Sequence, residues 1–282
     1  MSSILTDGGV KIEYESIGDD SDPPVLLVEG LGAQMIGWRR EWCDLLAEQG
    51  FWVIRFDNRD SGLSEKFPGR VYLLEDMADD VVGVLECLDI AQAHIVGQSL
   101  GGMIAQELAI RWPARVASLC LIYTAPNLSH VLSDRDHAAI ASRPRAKARD
   151  VAIDQYVQDE QYAASVAYEF DIDWIRELGG RMWDRCYYPE GIQRQMDAMQ
   201  RSGDRTEALR AVNARTLLIH GDADRLISVS GSHALAAALP RATLKVFPGV
   251  GHELPVPLWP AIVGAIADNA RGASGDDRGG RP

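Results

Sequence analysis

A mostly parallel β-sheet covered by helices on both faces, interrupted once by a helical insertion, is the fold that this 282-residue sequence predicts. Three observations lead there. Continuously apolar runs such as Val25-Leu26-Leu27-Val28 alternate with amphipathic stretches such as Leu74 to Leu88, and strands that lack polar alternation are buried on both sides. The alternation stops near Asn127, where a charged, aromatic-rich and helix-patterned segment begins, and it resumes near Val212. Finally, a short apolar strand passes directly into a helix through Gly97-Gln98-Ser99-Leu100-Gly101, too abruptly for an ordinary loop.

Each element follows from its own pattern. Val10 to Ser16 alternates polar and apolar residues, as a half-exposed strand near a sheet edge does. Val25 to Val28 is a buried strand after the Pro-containing turn Asp19 to Pro24. Trp38 to Gln49 reads as a helix stopped by Gly50. Phe51 to Phe56 is a buried strand, Leu74 to Leu88 an amphipathic helix, and His94 to Val96 the strand before the abrupt turn. Val116 to Thr124 is a further strand, broken by Pro126. After the insertion come a strand at Thr216 to His220, a helix at Gly231 to Leu239, a strand at Thr243 to Phe247 and a helix at Leu258 to Asn269. The expected partition is a core of residues 1–126 and 212–271, a helical lid of residues 127–211, and a disordered Gly-, Asp- and Arg-rich tail of residues 272–282. No internal repeat is apparent.

Composition narrows the function. The content is 46% hydrophobic and 24% charged, ordinary for a soluble globular protein. A formal net charge of −13 argues against nucleic acid as a partner. The N-terminus shows neither a basic nor an apolar leader region, and no apolar run is long enough to span a bilayer, so a cytoplasmic location is expected. Cys43, Cys87, Cys120 and Cys186 form no C-x-x-C pair and are expected to be buried free thiols. The sequence leaves the oligomeric state open, a homo-oligomer included.

The chemistry centres on Ser99. In a G-x-S-x-G turn the serine is held in a strained conformation with its hydroxyl projecting from the sheet, beside the amides of a helix N-terminus. A serine hydroxyl needs a base to take its proton, and that base needs an orienting acid. Two downstream loops leave the same end of the sheet: Gly221-Asp222-Ala223-Asp224 and Gly249-Val250-Gly251-His252. His252 is the candidate base. Asp224, farther into its loop, is preferred over Asp222 as the acid, Asp222 being suited to the turn. The oxyanion donors expected are the N–H groups of Leu100, just after the serine, and of Leu31, within Gly30-Leu31-Gly32. Gly30, Met103, Trp183 and Tyr187 are candidates for contact with substrate. His220 is expected to pack or hydrogen-bond beside the site, His94 to be structural, and His130, His137 and His233 to lie in lid or surface helices. No cluster has metal-ligand spacing, so neither metal nor cofactor is expected.

Taken together, Glu29-Gly30-Leu31-Gly32, Asp57-Asn58-Arg59-Asp60-Ser61-Gly62, the serine turn with Gly102, Gly221-Asp222-Ala223-Asp224 and Gly251-His252 resemble the α/β-hydrolase superfamily over residues 10–270. The stretch from Gly30 to Ser64 is similar to bacterial esterases and lipases of the aclacinomycin methyl esterase type. That resemblance implies an eight-stranded, mostly parallel sheet, a lid inserted after the sixth strand, and Ser99, Asp224 and His252 as the triad. One departure stands out: many relatives have His-Gly where this chain has Glu29-Gly30. Glu29 is then either a solvated or paired carboxylate, which is preferred, or one tuned to act near substrate. A serine rather than an aspartate excludes haloalkane dehalogenase and epoxide hydrolase chemistry. The reading is a serine hydrolase that cleaves a carboxylic ester or lactone of an apolar or aromatic small molecule through an acyl-enzyme on Ser99. Thioesterase, perhydrolase and carbon–carbon bond hydrolase chemistry on the same triad stay open, as does a receptor or scaffold role.

Overall fold

A computed structural model describes residues 2–132, 134 and 143–276. Eight strands form one sheet: β1 (Ser2–Leu5), β2 (Lys11–Ile17), β3 (Pro24–Val28), β4 (Trp52–Phe56), β5 (Ala93–Gln98), β6 (Val116–Ile122), β7 (Arg215–Gly221) and β8 (Ala242–Phe247). Their order is β1-β2-β4-β3-β5-β6-β7-β8. β1 pairs antiparallel with β2 and β2 with β4, and the remaining pairings are parallel. β1 has no counterpart in the sequence reading. Its residues are largely exposed, and pairing with β2 rather than burial holds it.

Among the described residues the helices are α1 (Arg40–Glu48), α2 (Leu74–Cys87), α3 (Leu100–Arg111), then in the insertion α4 (Arg149–Ala163), α5 (Ile172–Cys186), α6 (Pro189–Arg201) and the short α7 (Thr206–Leu209), then α8 (Ser230–Ala238) and α9 (Trp259–Asp276). α1 starts two residues later than expected, because a 3₁₀ turn over Met35–Gly37 leaves Trp38 extended. α9 runs to Asp276, past the expected start of the tail, and residues 277–282 lie outside the described set.

The strands are continuously apolar because alternate side chains serve two cores. Leu26, Val28, Ile54, Phe56, Ile95 and Leu119 face the cluster that includes α2 and α3. Val25, Leu27, Val53, Val96, Cys120 and Ile219 face the one that includes α1 and α9. Either face alone would leave half of each strand in water. Of the four free cysteines Cys43 and Cys120 are buried, but Cys87 is exposed and Cys186 half-buried, which corrects the expectation for those two. No helix among the described residues is long and apolar enough to cross a membrane.

Parallel pairing brings the strand ends into line: Val28 lies opposite Gly97, Gln98 opposite Ile122, and Ile122 opposite Ile219. Glu29, Asp57, Ser99, Tyr123 and the loop after β7 therefore emerge on one edge. Three non-glycine residues on that edge have left-handed backbones: Asp60 (φ 66°), Ser99 (φ 53°) and Tyr123 (φ 35°). Such strain persists only where the surroundings over-determine it.

The insertion is clamped across this edge by buried polar contacts. Arg185 of α5 pairs with Asp57 at 3.0 Å, and Arg194 of α6 with Asp60 at 2.8 Å. The Gln34 amide donates to the carbonyls of Met182 and Cys186 at 2.9 Å each. Gln195 accepts from the Gly32 N–H and donates to the Arg59 carbonyl, both at 2.8 Å. Arg59 is held in turn by a bidentate pair with buried Asp80, at 2.6 and 2.8 Å.

Two glycines make a matched test of this packing. A Cβ on Gly101 would lie 2.1 Å from the Val28 carbonyl oxygen, whereas one on Gly264 in α9 meets nothing within 4 Å. Gly101→Ala is expected to lose about 1–3 kcal/mol or more in urea unfolding, and Gly264→Ala to gain about 0.5–1 kcal/mol from lower unfolded-state freedom. Equal effects at the two positions would refute the packing argument.

Candidate active site

The turn at Ser99 is built from what its neighbours cannot tolerate. Ser99 lies between β5 and α3 at φ 53° and ψ −119°. Its N–H is held by the Ile122 carbonyl at 2.9 Å, and its carbonyl accepts from the Thr124 hydroxyl at 2.7 Å. A Cβ on Gly97 would lie 2.3 Å from the Gly101 oxygen, so strand and helix touch backbone to backbone. Leu100 buries its side chain and is the first residue of α3, where N–H groups have no partner within the helix.

The candidate base and acid come from the loops after β8 and β7. His252 Nδ1 lies 2.7 Å from Asp224 Oδ2. Asp224 Oδ1 accepts from the N–H groups of Leu226 and Ile227 at 2.8 and 2.9 Å, which fixes the carboxylate. An Nδ1–H donated to Asp224 leaves Nε2 free to take a proton from the chamber. Burial opposes ionisation of Asp224, but the His252 charge and hydrogen bonds from His220, His252 and Ile227 outweigh it. The carboxyl is held well below the usual range. Asp222 is exposed and accepts the Gly249 N–H at 2.6 Å, joining the two loops as a turn residue.

His220 is fully buried. Its Nε2 lies 2.9 Å from the Ile227 carbonyl and 3.3 Å from Asp224 Oδ2, and its Nδ1 lies 2.7 Å from the Ser232 hydroxyl. It braces the acid from behind. His94 contacts the Ser118 hydroxyl at 2.9 Å, and burial lowers it to about 4. His130 contacts Ser230, His233 lies in α8, and His137 falls outside the described residues.

Ser99 and His252 open into one chamber of about 410 Å³, walled also by Gly30, Leu31 and Met103. A Cβ on Gly30 would lie 3.5 Å from the Ser99 Cβ, so this loop passes directly beside the serine. Trp38, Trp42, Trp174 and Trp259 contribute further walls. Trp183 and Tyr187 are placed elsewhere. They stack on each other, 4.4 Å between centroids, in a neighbouring cavity of about 360 Å³. The two spaces share Leu31, Ala33, Tyr156, Glu160 and Met196.

Several residues of the site carry no signal in the sequence. The Tyr123 ring lies 4.3 Å from the His252 ring, and its hydroxyl donates to Gln98 Oε1. Gln98 donates to Glu29 Oε2 at 2.6 Å, and the Gly30 N–H donates to the same oxygen at 2.9 Å. Glu29 is thus neither solvated nor paired with a cation. Burial pushes its carboxyl up to about 7 against the hydrogen bonds from Gln98 and Gly30. Burial likewise raises Glu160 to about 7, with Asp159, Glu253 and Glu29 adding to the effect. Arg39, the one arginine or lysine among the described chamber residues, is engaged by Asp171 at 2.8 Å and stacks on Trp174.

A family model described as the alpha/beta hydrolase fold matches residues 23–256. A Variovorax paradoxus (strain S110) protein named for a carbamate hydrolase, RutD, is 32% identical over 86% of this chain and 89% of its own length. Rhodomycin D methylesterase DauP of a Streptomyces species (strain C5) is 36% identical over 42% of this chain and 41% of its own. Among solved structures, a meta-cleavage product hydrolase from Pseudomonas fluorescens IP01 superposes with a TM-score of 0.81 at 23% identity, covering 97% of this chain and 98% of that one. The strand order, the serine turn and the family match agree: the chain belongs to the alpha/beta hydrolase family.

Proposed function

We propose that the protein is a serine hydrolase that cleaves a carboxylic ester or lactone through an acyl-enzyme on Ser99. The observation that carries the reading is the fixed His252–Asp224 pair in the chamber into which the strained Ser99 opens. Ser99 Oγ attacks the carbonyl while His252 Nε2 takes its proton. The N–H groups of Leu31 and Leu100 hold the oxyanion. Collapse expels the alcohol, protonated by His252, and water activated by the same nitrogen frees the acid. With a lactone the expelled alcohol stays attached to the acyl group. Asp224 keeps the imidazole in its working tautomer.

The chamber also bears on the substrate. Its walls are largely tryptophan, leucine and methionine, and its carboxylates outnumber Arg39, which Asp171 already engages. An acyl group with its own free carboxylate would meet repulsion there, so an uncharged ester suits the site better. The second cavity lengthens the available space. Residues 127–211 then act as a lid, with Tyr156 and Glu160 between the two spaces.

Three measurements test these roles. A fluorophosphonate probe is expected to label the wild type at Ser99 and not Ser99→Ala, and loss of the hydroxyl should reduce ester turnover to the residue left by binding and the oxyanion hole. Labelling of Ser99→Ala, or no labelling of either, would refute the nucleophile. Asp224→Asn is expected to lower kcat by up to about 10⁴, and Asp222→Asn far less. A reversed ranking would move the acid to Asp222. Trp183→Ala and Tyr187→Ala are expected to lower kcat/KM for long or two-ring esters by roughly tenfold or more, with little change for short acetate esters. Equal losses on both would confine these rings to packing the insertion.

A further inference from the structure

We propose that Glu29 is a positioning residue of the oxyanion loop that works as the neutral acid, so that its deprotonation sets the alkaline limit of catalysis. The inference rests on the serine-hydrolase reading above and assigns a task to the residue that departs from the family pattern.

The geometry gives Glu29 reach over the whole site. It immediately precedes Gly30-Leu31, and its Oε2 accepts from the Gly30 N–H at 2.9 Å, which fixes the peptide leading to the Leu31 donor. The same oxygen accepts from Gln98, the residue before Ser99, at 2.6 Å. Gln98 in turn accepts from the Tyr123 hydroxyl, and the Tyr123 ring rests 4.3 Å from His252. One chain of contacts thus joins the oxyanion loop, the serine and the base. The carboxyl is 1% exposed, and besides Gln98 and Gly30 it faces the Trp38 N–H.

The surroundings oppose a charge at this place. From β4 comes Asp57, occupied by Arg185; from β6, Tyr123; from α4, Tyr156 and Glu160. Beyond Tyr123 stands the Asp224–His252 pair, and Arg39 is turned to Asp171. No cation pairs with Glu29 among the described contacts. Burial accordingly raises the carboxyl to about 7. The physical consequence is directional. A neutral carboxyl can hold the Gly30 peptide without disturbing the oxyanion, but a carboxylate there repels the negative charge that the same loop must stabilise. The sign follows: transition-state stabilisation is present below about 7 and is lost as Glu29 ionises above it.

The test is the pH dependence of a neutral, non-titrating ester. Above its optimum, where His252 is already neutral, the wild type is expected to fall on the order of tenfold in kcat by pH 9, with KM nearly constant, instead of holding the alkaline plateau of an ordinary Ser-His site. Glu29→Gln is expected to abolish that fall. A flat wild-type profile, or the same fall in Glu29→Gln, overturns the proposal. Should Glu29→Gln fail to fold, infrared titration of Glu160→Gln gives a second readout. A buried protonated-carboxyl band present at pH 6 and gone by pH 9 supports the assignment, and absence of the band at pH 6 overturns it. Fluorophosphonate labelling separates the two readings: a protein that labels at Ser99 but shows a flat profile loses only the role of Glu29. One that never labels loses the hydrolase reading and this one with it.

Discussion

The structure depends on one close approach, that of the α3 amino end to the carboxyl end of β3. At Gly101 the helix backbone lies against the carbonyls of Val28 and Glu29 so tightly that a Cβ would stand 2.1 and 2.6 Å from them. That contact, with Gly97 closed against Gly101, leaves Ser99 no option but its left-handed backbone. It also sets the oxyanion loop beside the serine, since Gly30 continues directly from the strand being touched. Ser99 and the proposed oxyanion loop are therefore positioned by a single backbone-to-backbone packing event, with no flexible side chain between them. A rigid constellation of this kind needs little reorganisation as charge develops.

The insertion is tied to that constellation at two places of different character. On one side, charged side chains of α5 and α6 dock on Asp57 and Asp60, residues whose own carboxylates also hold local backbone. Asp57 accepts the Met35 and Leu63 N–H groups at 2.8 Å each, and Asp60 accepts the Phe67 N–H at 2.9 Å. On the other side the contact is main chain. The His252 N–H donates to the Ala163 carbonyl at 2.8 Å, and the Gly249 carbonyl receives the N–H groups of Val166 and Ala167. The loop that carries the histidine is thus continuous in hydrogen bonding with the end of α4. A shift of the insertion acts on His252 as well as on the chamber, so on the proposed reading substrate fit and base alignment are linked properties.

How much of this was legible in the sequence depended on whether the signal was local. The core strands were readable because burial on two faces writes continuous apolar runs at Val25–Val28 and Phe51–Phe56. The serine turn was readable because steric exclusion writes glycine at fixed spacing. β1 was not, because Ser2-Ser3-Ile4-Leu5 is held by an edge ladder that leaves no hydrophobic pattern. Trp183 and Tyr187 are expected at the site because aromatic residues in an insertion need burial. Periodicity does not say against what, and they satisfy one another in the adjoining cavity. Glu160 and Tyr123 carry no local signal, since their roles arise from α4 and β6 meeting across more than thirty residues of chain.

Glu29 occupies the middle ground and shows what a departure from a family pattern can mean. Its position was conspicuous in the sequence, but its environment was not: the choice between a paired and a tuned carboxylate turns on partners supplied by β5 and β6. A salt bridge would have made it structural. The partners are instead the N–H donors of Gln98, Gly30 and Trp38, which favour the carboxylate without supplying a full compensating charge, so burial outweighs them. Glu160 shares that condition across the same chamber, and Glu29 adds to what raises it. Ionising either makes the second harder to ionise and makes the chamber less hospitable to an anion. On the proposed reading, the acidic chamber and the loop after β3 form one electrostatic arrangement, which suits an uncharged ester and works best while both carboxyls keep their protons.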